Sequence, residues 1–185
     1  MKNIFTIPNI ISMFRLVLIP FFVISYFMGV NDIKYIYIAI IIVLISGLSD
    51  VVDGFIARHF NMVSDLGKVL DPIADKLTQA TVILSLGIMH PLAIFPMFSV
   101  LFIKELLTLF FAIHLLSKGT KPISSRWFGK LSTVVIFLTM VYTLLVDIFT
   151  FVEFPIYILS ACSIVCMIIS ITGYFRMFHG DVKGD

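Results

Sequence analysis

Charge is scarce in this chain: Lys and Arg number 13 and Asp and Glu 11 among 185 residues, a charged fraction of 13%. An ordinary soluble domain carries about twice that, so this class is excluded at the outset. The formal net charge of +2 is too small to bind nucleic acid through a basic surface. Cysteine is nearly absent as well. Cys162 and Cys166, four apart within an apolar run, exclude a disulfide framework and read as small packing residues on one helix face. The N-terminus lacks a small-residue cleavage site and its apolar stretch continues unbroken, so no signal peptide is expected. Internal repeats and low-complexity tracts are also missing.

What the chain has is apolar length. It is 60% hydrophobic, includes 19 phenylalanines and has a mean hydropathy of +1.11. A spanning helix needs about 20 apolar residues, so roughly six spans would use nearly all of it. Candidate spans fall at 9–30, 33–59, 66–89, 92–117, 127–149 and 154–178. Helix punctuation precedes four of them: Pro8-Asn9, Asn31-Asp32, Ser64-Asp65 and His90-Pro91. The expectation is an all-α integral membrane protein, a six-transmembrane-helix bundle with short connections and one domain over 1–185. Trp127 and the phenylalanines suit lipid contact and the interfacial belt.

The charges fall at alternate ends of the spans. Lys2, Arg58, Lys118, Lys121, Arg126, Lys130, Arg176 and Lys183 share one side, while the other has Asp32, Lys34, Asp147 and Glu153. The positive-inside rule then predicts that the N- and C-termini are both cytoplasmic. The connection between the second and third spans would lie at the cytoplasmic surface of the cell membrane, open to charged cytosolic substrates.

That connection is flanked by the densest chemistry in the sequence. Residues 50–76 read DVVDGFIARHFNMVSDLGKVLDPIADK. Asp50 and Asp53 are three apart and Asp71 and Asp75 four apart, so each pair occupies one helix face, and two helix ends can present four carboxylates to one point. At about 5 Å spacing and an effective dielectric near 20, each pair of carboxylates repels by about 3 kcal/mol, so the group requires cations or protons. Carboxylate oxygens without nearby cysteine point to hard ions, Mg2+ or Mn2+, rather than zinc. Two such ions suit the clamping of a pyrophosphate and phosphoryl transfer. Gly54 and Ala57 keep one face shallow, Arg58 offers a guanidinium to phosphate, Ser64 a capping or phosphate-binding hydroxyl, and Gly67 leaves room for a flat base. The alternative is a salt-bridge network or an ion path, for which the run itself supplies Arg58, Lys68 and Lys76 as partners.

Asp50, Asp53, Gly54, Ala57, Arg58, Gly67, Asp71 and Asp75 match every specified position of D-x-x-D-G-x-x-A-R-x8-G-x-x-x-D-x-x-x-D. This resembles the signature of the CDP-alcohol phosphotransferase (CDP-alcohol phosphatidyltransferase) family. Eight specified residues at about 5% each coincide by chance in a chain of this length on the order of once in ten million or more rarely. Ile7-Pro8-Asn9 followed by Arg15 looks like the start of the first span in the family's bacterial phosphatidylglycerophosphate and cardiolipin synthases. The resemblance implies two metals held by Asp50, Asp53 and Asp71, with Asp75 as a further ligand and the general base. It also implies a CDP-lipid site made by Gly54, Ala57, Arg58, Ser64 and Gly67 with Pro8 and Asn9 nearby, and a homodimer.

The implied reaction is transfer of a phosphatidyl group from CDP-diacylglycerol to an alcohol, with CMP released. Glycerol 3-phosphate is the favoured acceptor and phosphatidylglycerol, as in cardiolipin synthases, the alternative. Lys104, Arg126 and Lys130 are the candidates for the acceptor site, since a phosphorylated alcohol needs cations at the cytoplasmic mouth. Lys118 and Lys121 read instead as positive-inside charge. Phosphatidylglycerophosphate synthases usually carry Arg-Glu at the Lys104-Glu105 position and a second arginine where this chain has Ala112. A membrane prenyltransferase also uses aspartates and magnesium but needs more spans and has no use for the Gly54, Ala57, Arg58 and Gly67 set. A small transporter would not need that set either. His59 reads as a solvated loop residue and His114 as packing or interfacial.

Overall fold

The computed structural model describes residues 6–60, 67–117, 127–149 and 153–182. They form six helices: α1 (Ile7–Met28), α2 (Lys34–His59), α3 (Gly67–Met89), α4 (Pro91–Ser117), α5 (Trp127–Phe149) and α6 (Phe154–Val182). No strand occurs among the described residues. The six helices coincide with the six apolar segments to within a few residues, because apolar length is what the sequence repeats. Five are long and apolar enough to cross a membrane by length and composition. α3 falls short because Asp71, Asp75, Lys76, Thr78 and Gln79 crowd its first half.

Helix starts follow local chemistry. Pro8 occupies the first turn of α1, where a missing N–H costs nothing, after an extended Thr6. α1 ends at Gly29, whose N–H reaches the carbonyls of Ser25 and Tyr26. A Cβ at Gly29 would run into the Ile36 side chain and lie 2.9 Å from the Tyr26 carbonyl, so glycine is what lets the chain reverse tightly into α2. The Asp32 carboxylate then accepts the Lys34 N–H at 3.0 Å.

The helices fall into two compact units, Met1–Ile88 with Leu144–Phe151, and Met89–Thr143 with Val152–Asp185. In the first, α1 packs on α2, and Phe22, Ala39, Val43, Ala74, Val82, Ile83 and Leu86 are buried. In the second, α4 packs on α6, and Ile94, Met97, Ile136 and Met167 are fully buried. Both units differ from a water-soluble domain at their exteriors. Val17, Phe21, Val51, Phe110 and Leu92 face outward, whereas Asn9, Ser12, Arg15, Asp53, Lys104, Ser132, Thr139 and Ser163 are buried. An apolar exterior, with polar groups kept among the buried residues, is what lipid rather than water selects. Cys162, expected to pack, faces outward, and Cys166 is half-buried; both are free thiols.

Candidate metal and substrate site

Asp50 and Asp53 stand one turn apart near the end of α2, and Asp71 stands one turn into α3, four residues after Gly67. Their carboxylates converge, with one ligand oxygen from each lying within 4.8 Å of the others. Asp53 is 2% exposed, whereas the side chains of Asp50 and Asp71 are 45% and 46% exposed, so the group opens outward from a buried base. Asp75, one turn further along α3, is half-buried and stands outside the tight group. It remains within electrostatic reach of Asp50, Asp71, Arg15 and Lys76.

The cation at the centre of this group is Arg15 of α1, which the acidic run does not contain. Its Nη1 donates to Asp50 Oδ1 at 2.7 Å, its Nη2 to Asp53 Oδ2 at 2.7 Å, and the same Nη2 to Asp71 Oδ1. The guanidinium is 1% exposed, and its planar fork is the side chain best suited to three carboxylates at once. Ser12, also buried, places its hydroxyl 3.1 Å from the Pro8 carbonyl and 3.4 Å from Asp71 Oδ1, a single proton serving either. Pro8, Ser12 and Arg15 share a helical face through their i, i+4, i+7 spacing, with the buried Asn9 beside them. Two polar residues in an otherwise apolar span mark this face of α1 without indicating which residues it meets.

The donor set fits a hard divalent cation. Three carboxylates face one guanidinium, so net negative charge remains, and every donor is oxygen. On an octahedral magnesium adjacent oxygens are about 3.0 Å apart and opposite ones about 4.2 Å, so the three carboxylates draw in from their present separation to share one ion.

Other expected residues distribute unevenly. Gly54 follows Asp53 and Gly67 opens α3; Ala57 and Arg58 belong to the last turns of α2. Ser64, Lys118, Lys121 and Arg126 lie outside the described residues, and Lys130 belongs to the first turn of α5. Lys104 is buried in the second unit, where its Nζ donates to Glu105 at 3.1 Å. His59, expected in a loop, closes α2 and stacks on Phe55 at 5.4 Å. His114 stacks on Phe110.

The sequence matches the model of the CDP-alcohol phosphatidyltransferase family over residues 5–173, across both units. The chain belongs to this family. Similar relatives are named CDP-diacylglycerol–glycerol-3-phosphate 3-phosphatidyltransferase. The one from Haemophilus influenzae is 38% identical over 73 residues, covering 40% of this chain and 38% of that protein. Those of Wigglesworthia glossinidia brevipalpis and Escherichia coli K12 are 41% identical over 71 residues and 38% over 76. The match thus spans about two fifths of the length of each relative, 38% and 41% for the latter two. For a CDP-alcohol phosphatidyltransferase, the convergence of Asp50, Asp53 and Asp71 gives the family's acidic motif a physical centre, and Arg15 adds a buried cation to it.

Proposed function

We propose that this CDP-alcohol phosphatidyltransferase moves a phosphatidyl group from CDP-diacylglycerol to glycerol 3-phosphate, forming phosphatidylglycerophosphate and releasing CMP. The observation that carries this reading is the convergence of Asp50, Asp53 and Asp71 at one point within a complete acidic motif. The names of the relatives favour glycerol 3-phosphate over phosphatidylglycerol.

Asp50, Asp53, Asp71 and Asp75 would hold two divalent ions, Mg2+ or Mn2+, which when bound neutralise the donor's pyrophosphate and the charge that builds on the leaving phosphate. Gly54, Ala57, Arg58, Ser64 and Gly67, with Pro8 and Asn9, would seat the CDP part of the donor. Asp75, standing outside the tight triad, takes the proton from the acceptor hydroxyl. The acceptor oxygen then forms its bond to the lipid-side phosphorus as the bond from that phosphorus to the CMP oxygen breaks. Lys104, Arg126 and Lys130 would receive the acceptor's phosphate.

In this reading all six helices cross the cell membrane. α3 has 23 residues, about 34 Å of helix, with its polar half given to the site and an apolar half running to Met89. Six crossings return both termini to one side, and the basic residues at those ends make it the cytoplasm, where CMP leaves and glycerol 3-phosphate arrives. A homodimer belongs to the same reading and is tested by the mass of the detergent-solubilised protein. A cysteine at position 120 that is labelled from outside the cell would overturn the topology.

An acceptor panel tests the function. Purified protein receives CDP-diacylglycerol, Mg2+ or Mn2+, and separately glycerol 3-phosphate, phosphatidylglycerol, inositol phosphate or serine. Phosphatidylglycerophosphate in the first arm is the expected product. Cardiolipin in the second arm, with nothing in the first, would replace the acceptor while keeping the donor and the chemistry.

A further inference from the structure

Ser12 carries no charge and belongs to no motif, yet its hydroxyl stands between two parts of the proposed site. On one side, at 3.1 Å, is the carbonyl of Pro8 in the first turn of α1, and on the other, at 3.4 Å, is Oδ1 of Asp71 on α3. The residue is 1% exposed, so its partners come from the protein. A serine inside a helix ordinarily returns its proton to the carbonyl four residues back, which makes it self-sufficient. Pro8 offers that bond. A second acceptor, 59 residues along the chain, is what makes Ser12 more than a helix hydroxyl.

Arg15, one turn further along α1, donates through Nη2 to the same Asp71 oxygen. α1 therefore addresses Asp71 twice, at one atom. With that oxygen held in place, rotation of the carboxylate about its Cβ–Cγ bond is fixed, as it is for metal-ligating carboxylates that are themselves hydrogen-bonded. We infer that Ser12 is a positioning residue for the site. Its hydroxyl, with Arg15, fixes Oδ1 of Asp71 and so leaves Oδ2 for a divalent ion, while its bond to Pro8 keeps the Pro8-Asn9 turn in register with that carboxylate. This rests on the metal and donor reading given above and deepens it. Ser12 itself touches no reacting atom.

The test uses the purified full chain in detergent and two measurements. One is Mn2+ titration, with free Mn2+ counted by its paramagnetic resonance signal; the other is the initial rate of CMP release with CDP-diacylglycerol and glycerol 3-phosphate varied in turn. Ser12→Ala should bind Mn2+ about tenfold more weakly, the lower end of the loss expected when a metal ligand is deprived of its outer hydrogen bond. Its KM for CDP-diacylglycerol in saturating Mn2+ should rise several-fold, while that for glycerol 3-phosphate stays unchanged. Ser12→Thr and Ser12→Val share one shape and differ in the hydroxyl. The threonine variant should exceed the valine variant in Mn2+ affinity by the factor that separates wild type from Ser12→Ala, and this pair carries the test should the alanine variant not fold. Equal Mn2+ affinity in Ser12→Ala and wild type, or in the threonine and valine variants, overturns the inference and leaves Ser12 a helix hydroxyl bonded to Pro8. So does a loss confined to the unfolding temperature. Wild type that binds no Mn2+ would sink the metal reading itself, and this inference with it.

Discussion

The two units bury polar groups in different ways. In the first, one guanidinium holds three carboxylates from two other helices, and Tyr26 donates to Asp147 at 3.1 Å. In the second, the interior polar contacts are mostly between hydroxyls and backbone. Thr139 and Ser163 meet at 3.1 Å and each is also within reach of a carbonyl one turn back, so two protons serve three contacts, while Thr143 donates to the Thr139 carbonyl. A hydroxyl that can always return to its own helix is an undemanding buried group, and such pairs in membranes contribute modestly. A carboxylate has no such retreat. Three of them together are kept only where something compensates for the repulsion and desolvation, and function is the usual reason. Lys104 with Glu105 is the second unit's exception, a buried ion pair between sequence neighbours.

The contrast can be broken most severely at Asp53, the most buried of the triad. Asp53→Asn should lower phosphatidyl transfer by about three orders of magnitude, the scale expected when a preorganised charge is removed from a transition state. It should also abolish the rise in unfolding temperature on adding Mn2+. Retention of either property would separate the triad from metal binding. Asp75→Asn is the next largest. As a general base it should cost about 10²–10⁴ in turnover while Mn2+ and CDP-lipid binding persist, measured by titration on the same preparation. Near-normal turnover would remove Asp75 from that role.

Smaller effects sharpen the comparison. Tyr26→Phe removes the hydroxyl that reaches Asp147 and should cost about 1.5 kcal/mol of stability, as for a hydrogen bond to a charged group. In the second unit, Thr139→Val should cost less, about 0.6 kcal/mol, with transfer activity unchanged. Denaturation in detergent with a parallel CMP-release assay measures both pairs of values. A larger cost at Thr139 than at Tyr26 would reverse the ranking of the two interiors.

Much of this was legible from the sequence, and for identifiable reasons. The helix limits follow apolar length, which lipid thickness fixes, so Trp127–Phe149 stands as expected and α1 is displaced only slightly, from 9–30 to Ile7–Met28. The aspartates were legible because helical spacing puts each pair on a face, and both pairs flank one connection. Arg15 was harder to assign. Its partners are 35 to 56 residues away, and no local periodicity links an arginine in one apolar span to the ends of two others. α3 is the intermediate case. The residues that build the site are the ones that dilute its apolar character, so the more functional the helix, the weaker its signature as a span. The acceptor side rests on dispersed cations, of which Lys104 is already paired with its neighbour.

The most direct test of the central claim is release of CMP from CDP-diacylglycerol in the presence of glycerol 3-phosphate, with and without Mn2+, by the wild-type protein and by Asp53→Asn. The expected result is CMP and phosphatidylglycerophosphate in equal amounts, only with the metal and only from wild type. Metal-dependent CMP release that survives Asp53→Asn, or none from wild type with any acceptor, would contradict the account.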